Sequence, residues 1–157
     1  MQRRRRQFLL SVSALAAAPL ARAGAESKPL RIVWFSQGNR ERHRPYVEAF
    51  RNGLRELGYR EIRDVVIDYR WRADTLKTYR WMASDIVEED PDVIVVTCEI
   101  SATAAMGATE TIPIVMAAST DPVAHGLVDS LAHSGNNVTG LSFNEIQIGA
   151  KRVQLLR

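Results

Sequence analysis

The chain has 157 residues, of which 46% are hydrophobic and 25% are charged, so it is long enough for one globular domain and shows no compositional sign of disorder. Its net charge of +3 comes from the amino terminus, because five of the 21 basic residues lie within residues 1–23, which contain no acid. The other 16 basic residues are outnumbered by 18 acidic ones. The body of the protein lacks the positive excess that a nucleic-acid surface needs, so no nucleic-acid partner is expected.

Residues 1–23 have the pattern of a signal peptide, with a basic head, an apolar run over 8–20 and a small-x-small cleavage site. The apolar run is too short to span a bilayer comfortably. Arg5 and Arg6 also resemble the twin-arginine export pattern, so ordinary secretory export and twin-arginine export both stay open. Either route predicts handling by export machinery and a soluble mature protein in the periplasm.

The first predicted elements after the signal are a strand, a helix and a second strand. The strand covers residues 30–35, and residues 36–39 form the loop at its carboxyl end. Pro45 suits the first turn of an amphipathic helix that Gly58 closes. Residues 65–71 alternate between apolar and polar side chains, which indicates a strand near the edge of a sheet.

The middle of the chain predicts two further helices and two short buried strands. A helix capped by Asp74 precedes an all-apolar strand at 93–96. A loop and helix of small residues over 97–108 then lead to a second apolar strand at 114–116. Strands without a polar face belong to parallel sheets that are covered on both sides.

Beyond Pro122 the pattern predicts a short helix over 123–131, a strand over 138–142 and one more helical face from Glu145 to the last residue, Arg157. Strands and helices alternate along the whole chain. We therefore predict an α/β fold with an open parallel sheet and helices on both faces.

The loops that leave the carboxyl ends of the strands form the ligand crevice of such a sheet. The predicted ligand-binding residues lie in these loops. They are Ser36, Gln37, Cys98, Glu99, Ser101, Ser119, Thr120 and Asp121. The free N–H groups that open the helix near Ser101 favour an anionic ligand group, but a simple N-cap role for Ser101 and a turn-forming role for Asp121 are open alternatives.

A catalytic alternative rests on the possible nucleophiles in the same loops. Cys98 or Ser101 would serve an exported α/β hydrolase or transferase. As the only cysteine, Cys98 has no partner for an internal disulfide. The three histidines show no metal-ligand spacing and the chain has no Gly-rich phosphate loop, so neither a metal nor a cofactor is expected.

A series of short motifs runs through the chain in a fixed order. They are GY at 58–59, VVIDYRW at 65–71, DVIV at 92–95, TIPIV at 111–115, DPV at 121–123, GLV at 126–128, SLA at 130–132, G at 135, NVTGLS at 137–142, KR at 151–152 and LL at 155–156. Together they resemble the exported substrate-binding proteins of ABC transporters, and more narrowly the tryptophan/tyrosine-type family.

The resemblance implies a type I periplasmic-binding fold, in which two α/β lobes trap a small molecule between them. The ligand, for which an amino acid is one candidate, would be delivered to an ABC permease in the inner membrane. It implies a binding protein and not an enzyme. On this basis residues 24–142 form the first lobe, and residues 143–157 form the hinge crossing and the start of a helix of a missing second lobe. A truncated fragment without independent function is the alternative. Glu99 departs from the family's Gly-Gly-Thr-Pro pattern and would favour a ligand ammonium over a carboxylate.

Overall fold

The computed structural model describes residues 28–72 and 75–143. Within these ranges strands and helices alternate as predicted, except that no helix separates the last two strands. Their bounds are β1 Leu30–Gln37, α1 Arg40–Glu56, β2 Val65–Arg72, α2 Leu76–Glu88, β3 Val93–Val96, α3 Glu99–Met106, β4 Ile114–Ser119 and β5 Val138–Ser142. The predicted signal peptide, the predicted cap Asp74 and the predicted helix from Glu145 lie outside the described residues.

The strands form one five-stranded sheet in the order β2-β1-β3-β4-β5, and every neighbouring pair is parallel. The predicted α/β fold is confirmed. The central strands are apolar because helices cover both faces of the sheet. Phe35 and Ile94 face α2 and α3, whereas Trp34 and Val95 face α1. Each large side chain buried in this way contributes about 1.5–3 kcal/mol of hydrophobic stabilisation.

The edge strand β2 is tied to α2 by charged side chains. Arg70 forms ion pairs with Asp68 on the same strand, with Asp85 on α2 and with Glu89, the C-cap of α2. The charge of Arg70 is thus matched by acidic partners. Among the described residues, no helix is both long enough and apolar enough to cross a membrane.

Helix α1 begins earlier than Pro45, and the prediction that Pro45 occupies its first turn is wrong. The N-cap is Asn39, whose side-chain oxygen accepts a hydrogen bond from the Arg42 N–H at 3.0 Å. Pro45 lies inside the helix. The predicted end is confirmed, because Gly58 takes a positive φ of 89° that closes the last turn.

Two further local predictions are corrected. The segment 123–131 forms turns and not a helix, because Gly126 adopts a left-handed φ of 65° and interrupts it. The N-cap of α2 is Thr75, one residue beyond the predicted Asp74. Neither correction changes the order of the strands. All the parallel strands point their carboxyl ends toward the same edge, which positions the site.

Candidate functional site

A cleft of about 780 Å³ opens at the carboxyl ends of β1, β3 and β4, beside the first turns of α1. This is the edge at which open parallel sheets bind ligands. The side formed by β1 and α1 contains Trp34, Gln37, Gly38, Arg42, His43 and Tyr46. The opposite side contains Thr97, Cys98, Ala117, Ala118 and Phe143. Of the predicted site residues, Gln37 and Cys98 line this cleft directly.

Ser36 lies beneath the cleft and has no exposed surface. Its hydroxyl oxygen is 2.6 Å from Thr97 Oγ1, 3.1 Å from His43 Nδ1 and 3.3 Å from the Gln37 carbonyl oxygen. These contacts join the ends of β1 and β3 to α1. The structure therefore places Ser36 as a residue that positions Thr97 and His43 at the cleft wall.

His43 is held among aromatic rings as well as by Ser36. Its ring centre is 5.6 Å from that of Trp71 and 6.1 Å from that of Tyr46. Burial, and to a smaller extent the positive charge of Arg42, lowers the pKa of His43 below its ordinary value. The imidazole is therefore biased toward its neutral form, which has one N–H donor and one acceptor nitrogen.

Cys98 and Ser101 lie together at the start of α3. Ser101 is fully buried, and its hydroxyl donates to the Cys98 carbonyl oxygen at 2.9 Å. The Cys98 sulfur is 3.3 Å from the Ser101 hydroxyl oxygen. A catalytic nucleophile needs a base within hydrogen-bond reach. The contacts of this pair join the two residues to each other and to the backbone, which is the arrangement of a helix start.

Glu99 connects the loop after β3 to the end of β4. Its carboxylate accepts from the Thr120 N–H at 2.9 Å, from the Thr120 hydroxyl at 2.8 Å and from the Ser119 hydroxyl at 3.5 Å. The Thr120 backbone donor is the main reason that the pKa of Glu99 lies below its ordinary value. The predicted residues Glu99, Ser119 and Thr120 are thus brought together, beside the cleft and not among its lining residues.

Asp121 shapes the turn that follows β4. Its side-chain oxygen accepts from the Ala124 N–H at 3.0 Å, and its carbonyl oxygen accepts from the His125 N–H at 3.1 Å. This is the turn-forming role that the sequence left open for the residue. Phe143, which follows β5, is held at the end of β4 because its N–H donates to the Ser119 carbonyl oxygen at 2.7 Å.

Sequence reasoning missed the side of the cleft formed by Trp34, Arg42, His43 and Tyr46. Trp34 was assigned to a buried strand, and it is indeed only 1% exposed. Its ring packs against that of Phe50, with the two ring centres 5.4 Å apart, and Trp34 also lines the cleft. Arg42 and His43 were missed because the helix was expected to start at Pro45, whereas Tyr46 lies inside the predicted helix. The capping residue Asn39, three positions before Arg42, was the sequence signal that would have placed them in its first turns.

Comparison with known proteins identifies the family. The family model for ABC transporter substrate binding protein matches residues 42–157. The tyrosine-binding protein of Clostridioides difficile is 39% identical over 95 residues, which are 60% of this chain and 28% of that protein.

Solved structures resemble the fold closely. A conserved domain protein from Vibrio cholerae has a TM-score of 0.68 at 34% identity, over 73% of this chain and 39% of that chain. The ABC domain in complex with L-Trp from Streptococcus pneumonia has a TM-score of 0.67 at 28% identity, over the same shares of 73% and 39%. The ligand-free, open structure of a substrate binding protein with adhesive properties from Clostridium difficile has a TM-score of 0.66 at 30% identity, over 72% and 38%.

The chain thus spans between 28% and 39% of the length of these relatives. Its parallel sheet, with helices on both faces, is the fold of periplasmic-binding-protein-like domains. The family match extends over most of the chain. The chain therefore belongs to the ABC transporter substrate binding protein family.

Proposed function

We propose that this chain is the first lobe of an extracytoplasmic solute-binding receptor of an ABC import system. The observation that carries the proposal is the cleft of about 780 Å³ at the carboxyl ends of the strands. It combines aromatic and small apolar side chains with a few polar groups, which is the usual composition of a small-molecule site. The hydrogen bonds of Cys98 and Ser101 support binding and not catalysis as the role of this cleft.

An aromatic amino acid is the ligand that we propose. One relative is named a tyrosine-binding protein, and another was solved in complex with L-Trp. Tyr46 and Phe143, which are exposed, give the cleft of this chain apolar surface of the kind that an aromatic side chain needs.

The proposal includes a second lobe, export and delivery to a permease. In the proposed receptor a second lobe closes over the ligand at this cleft. We place the first lobe at residues 24–142 and the hinge near 141–144. We also propose that residues 1–23 direct export to the periplasm, where the receptor would meet its membrane permease.

Thermal melts of the chain with increasing L-Trp or L-Tyr test the proposal, because a ligand of the folded state raises the melting temperature. One lobe offers part of the contacts, so we expect a saturable increase with a Kd on the order of millimolar. A ligand at about ten times its Kd stabilises the fold by about 1.4 kcal/mol.

Two variants locate the effect. Ala118→Phe places a ring inside the cleft and should remove the increase, whereas Ala124→Phe, at an exposed position outside the lining residues, should keep it. No increase with any amino acid would contradict the solute-binding role. Micromolar affinity would contradict the need for closure by a second lobe.

A further inference from the structure

A second cavity, of about 350 Å³, lies at the opposite end of the sheet from the cleft, where α1 ends and β2 begins. Its lining includes Leu54 on α1 and Ile67 on β2, both of which are half-buried. These two side chains also pack against the core cluster that contains Trp34. The second cavity therefore has an apolar floor at the border of the hydrophobic core.

The charged residues of the second cavity do not balance. Its lining contains three arginines and one acidic residue, which are Arg51, Arg55, Arg60 and Glu61. The Glu61 carboxylate accepts from Arg51 Nε at 2.7 Å and forms an ion pair with the same guanidinium. Among residues 28–72 and 75–143, neither Arg55 nor Arg60 forms an ion pair. Arg55 donates instead to the neutral side chain of Asn52, at 2.8 Å.

The backbone around Arg60 is fixed although its guanidinium is unpaired. The Arg60 N–H donates to Asp64 Oδ2 at 2.8 Å, and the Arg60 carbonyl oxygen accepts from the Asp64 N–H at 2.8 Å. The Asp64 carboxylate also accepts from the Arg63 guanidinium, which matches its charge. Within this turn Ile62 has a φ of 76°, which is unfavourable for a β-branched residue, and strain of this kind clusters at binding sites.

We propose that the second cavity is a binding site for a small anion with an apolar body. The carboxylate or phosphate group of this ligand pairs with Arg55 and Arg60, because a guanidinium has only donors and a permanent positive charge. The apolar body lies on Leu54 and Ile67, next to the ring of Tyr59. A volume of about 350 Å³ is at the lower end of the range for ligand sites, so the ligand is small. The site goes beyond the proposed function, which concerns the cleft at the other end of the sheet.

Methyl NMR of the full chain tests this proposal. Isoleucine methyl groups are labelled with ¹³C, and the Ile67→Val variant identifies the signal of Ile67. Three unlabelled probes are titrated. The probe 4-phenylbutyrate has a carboxylate and an apolar body, 4-phenylbutanamide has the same body without the charge, and acetate has the carboxylate alone.

We expect 4-phenylbutyrate to shift the Ile67 signal saturably. The other two probes should bind at least ~10-fold more weakly, because each lacks one of the two parts that the second cavity recognises. Ile86 is the internal control and should not move, because it is buried on α2 in the core cluster on the other face of the sheet.

Three substitutions locate the binding. Arg55→Gln and Arg60→Gln should each weaken 4-phenylbutyrate ~10-fold, as expected for the loss of a charged hydrogen-bond partner. Arg44→Gln is the matched control, because Arg44 lies on the same helix as Arg55, is 74% exposed and does not line the second cavity.

A further variant separates the two ends of the sheet. Ala118→Phe places a ring inside the cleft and should leave the shift of the Ile67 signal unchanged. Loss of the shift in this variant would assign the effect to the cleft and overturn the second site, as would the absence of any Ile67 shift. Equal binding of 4-phenylbutyrate and 4-phenylbutanamide, or equal effects of Arg60→Gln and Arg44→Gln, would overturn the preference for an anion. The solute-binding role of the cleft is tested separately by the melts with L-Trp and L-Tyr.

Discussion

Replacing Glu99 by glutamine tests whether this residue fastens the loop after β3 to the end of β4. Glutamine keeps an oxygen that accepts a hydrogen bond but lacks the negative charge. The Thr120 N–H and hydroxyl, at 2.9 and 2.8 Å, then donate to a neutral acceptor. Hydrogen bonds to charged groups are the stronger ones, but Glu99 is only partly buried, so we expect a loss of about 1 kcal/mol. This corresponds to a fall in melting temperature of roughly 3–5 °C at neutral pH.

The pH dependence gives the stricter test. The pKa of Glu99 is lowered in the folded protein, chiefly by the Thr120 backbone donor, so its contribution is complete above the unfolded-state pKa and is lost as the pH falls through the folded-state pKa. The difference in melting temperature between Glu99→Gln and wild type, measured by circular dichroism, should therefore shrink on acidification. Glu110→Gln, at an exposed position, is the control. An equal effect of the two substitutions, or a difference that does not change with pH, would refute the reasoning.

Further predictions concern the backbone and His43. Gly140→Ala should destabilise the protein by at least ~3 kcal/mol, because the added Cβ would collide with the Met116 carbonyl oxygen. An unchanged midpoint of urea unfolding would disprove this prediction. Gly53→Ala, within α1 and with no atom within 4 Å of its added Cβ, should instead stabilise by about 0.5–1 kcal/mol in the same assay. Burial, and to a smaller extent the charge of Arg42, lowers the folded-state pKa of His43. The stability advantage of wild type over His43→Asn should therefore be complete above the unfolded-state pKa and decline as the pH falls through the folded-state pKa. An advantage that grows on acidification would contradict this assignment.

The strands of the sheet were predictable from the sequence because a strand that is buried on both faces requires apolar side chains. Strands β3 and β4 are covered on both faces, so apolar residues predominate in them and distinguish them from exposed loops. The start of α1 was harder to predict, because Pro45 is favourable in a first turn and its position inside the helix depends on the Asn39 cap. The helix predicted at 123–131 failed because Gly126 takes a left-handed conformation that periodicity does not reveal.

The location of the site was predictable, but the direction of its side chains was not. Topology alone brings the carboxyl ends of β1, β3 and β4 together, so the loops containing Gln37 and Cys98 meet at the cleft. The hydroxyls of Ser36 and Ser101 point instead to protein partners in the interior. The Ser36 contact joins residues 61 apart in sequence, about which a strand pattern contains no information, whereas Ser101 turns back to Cys98 only three residues earlier.

The rate at which a thiol reagent modifies Cys98 is the most direct test of the solute-binding cleft. Cys98 lines the cleft and is the only cysteine in the chain, so its modification reports on this site alone. We predict that L-Trp or L-Tyr slows the modification saturably, over the same concentrations that raise the melting temperature, and that the rate in the unfolded chain is unaffected. An unchanged rate at ligand concentrations that stabilise the protein would place the ligand elsewhere and contradict the account.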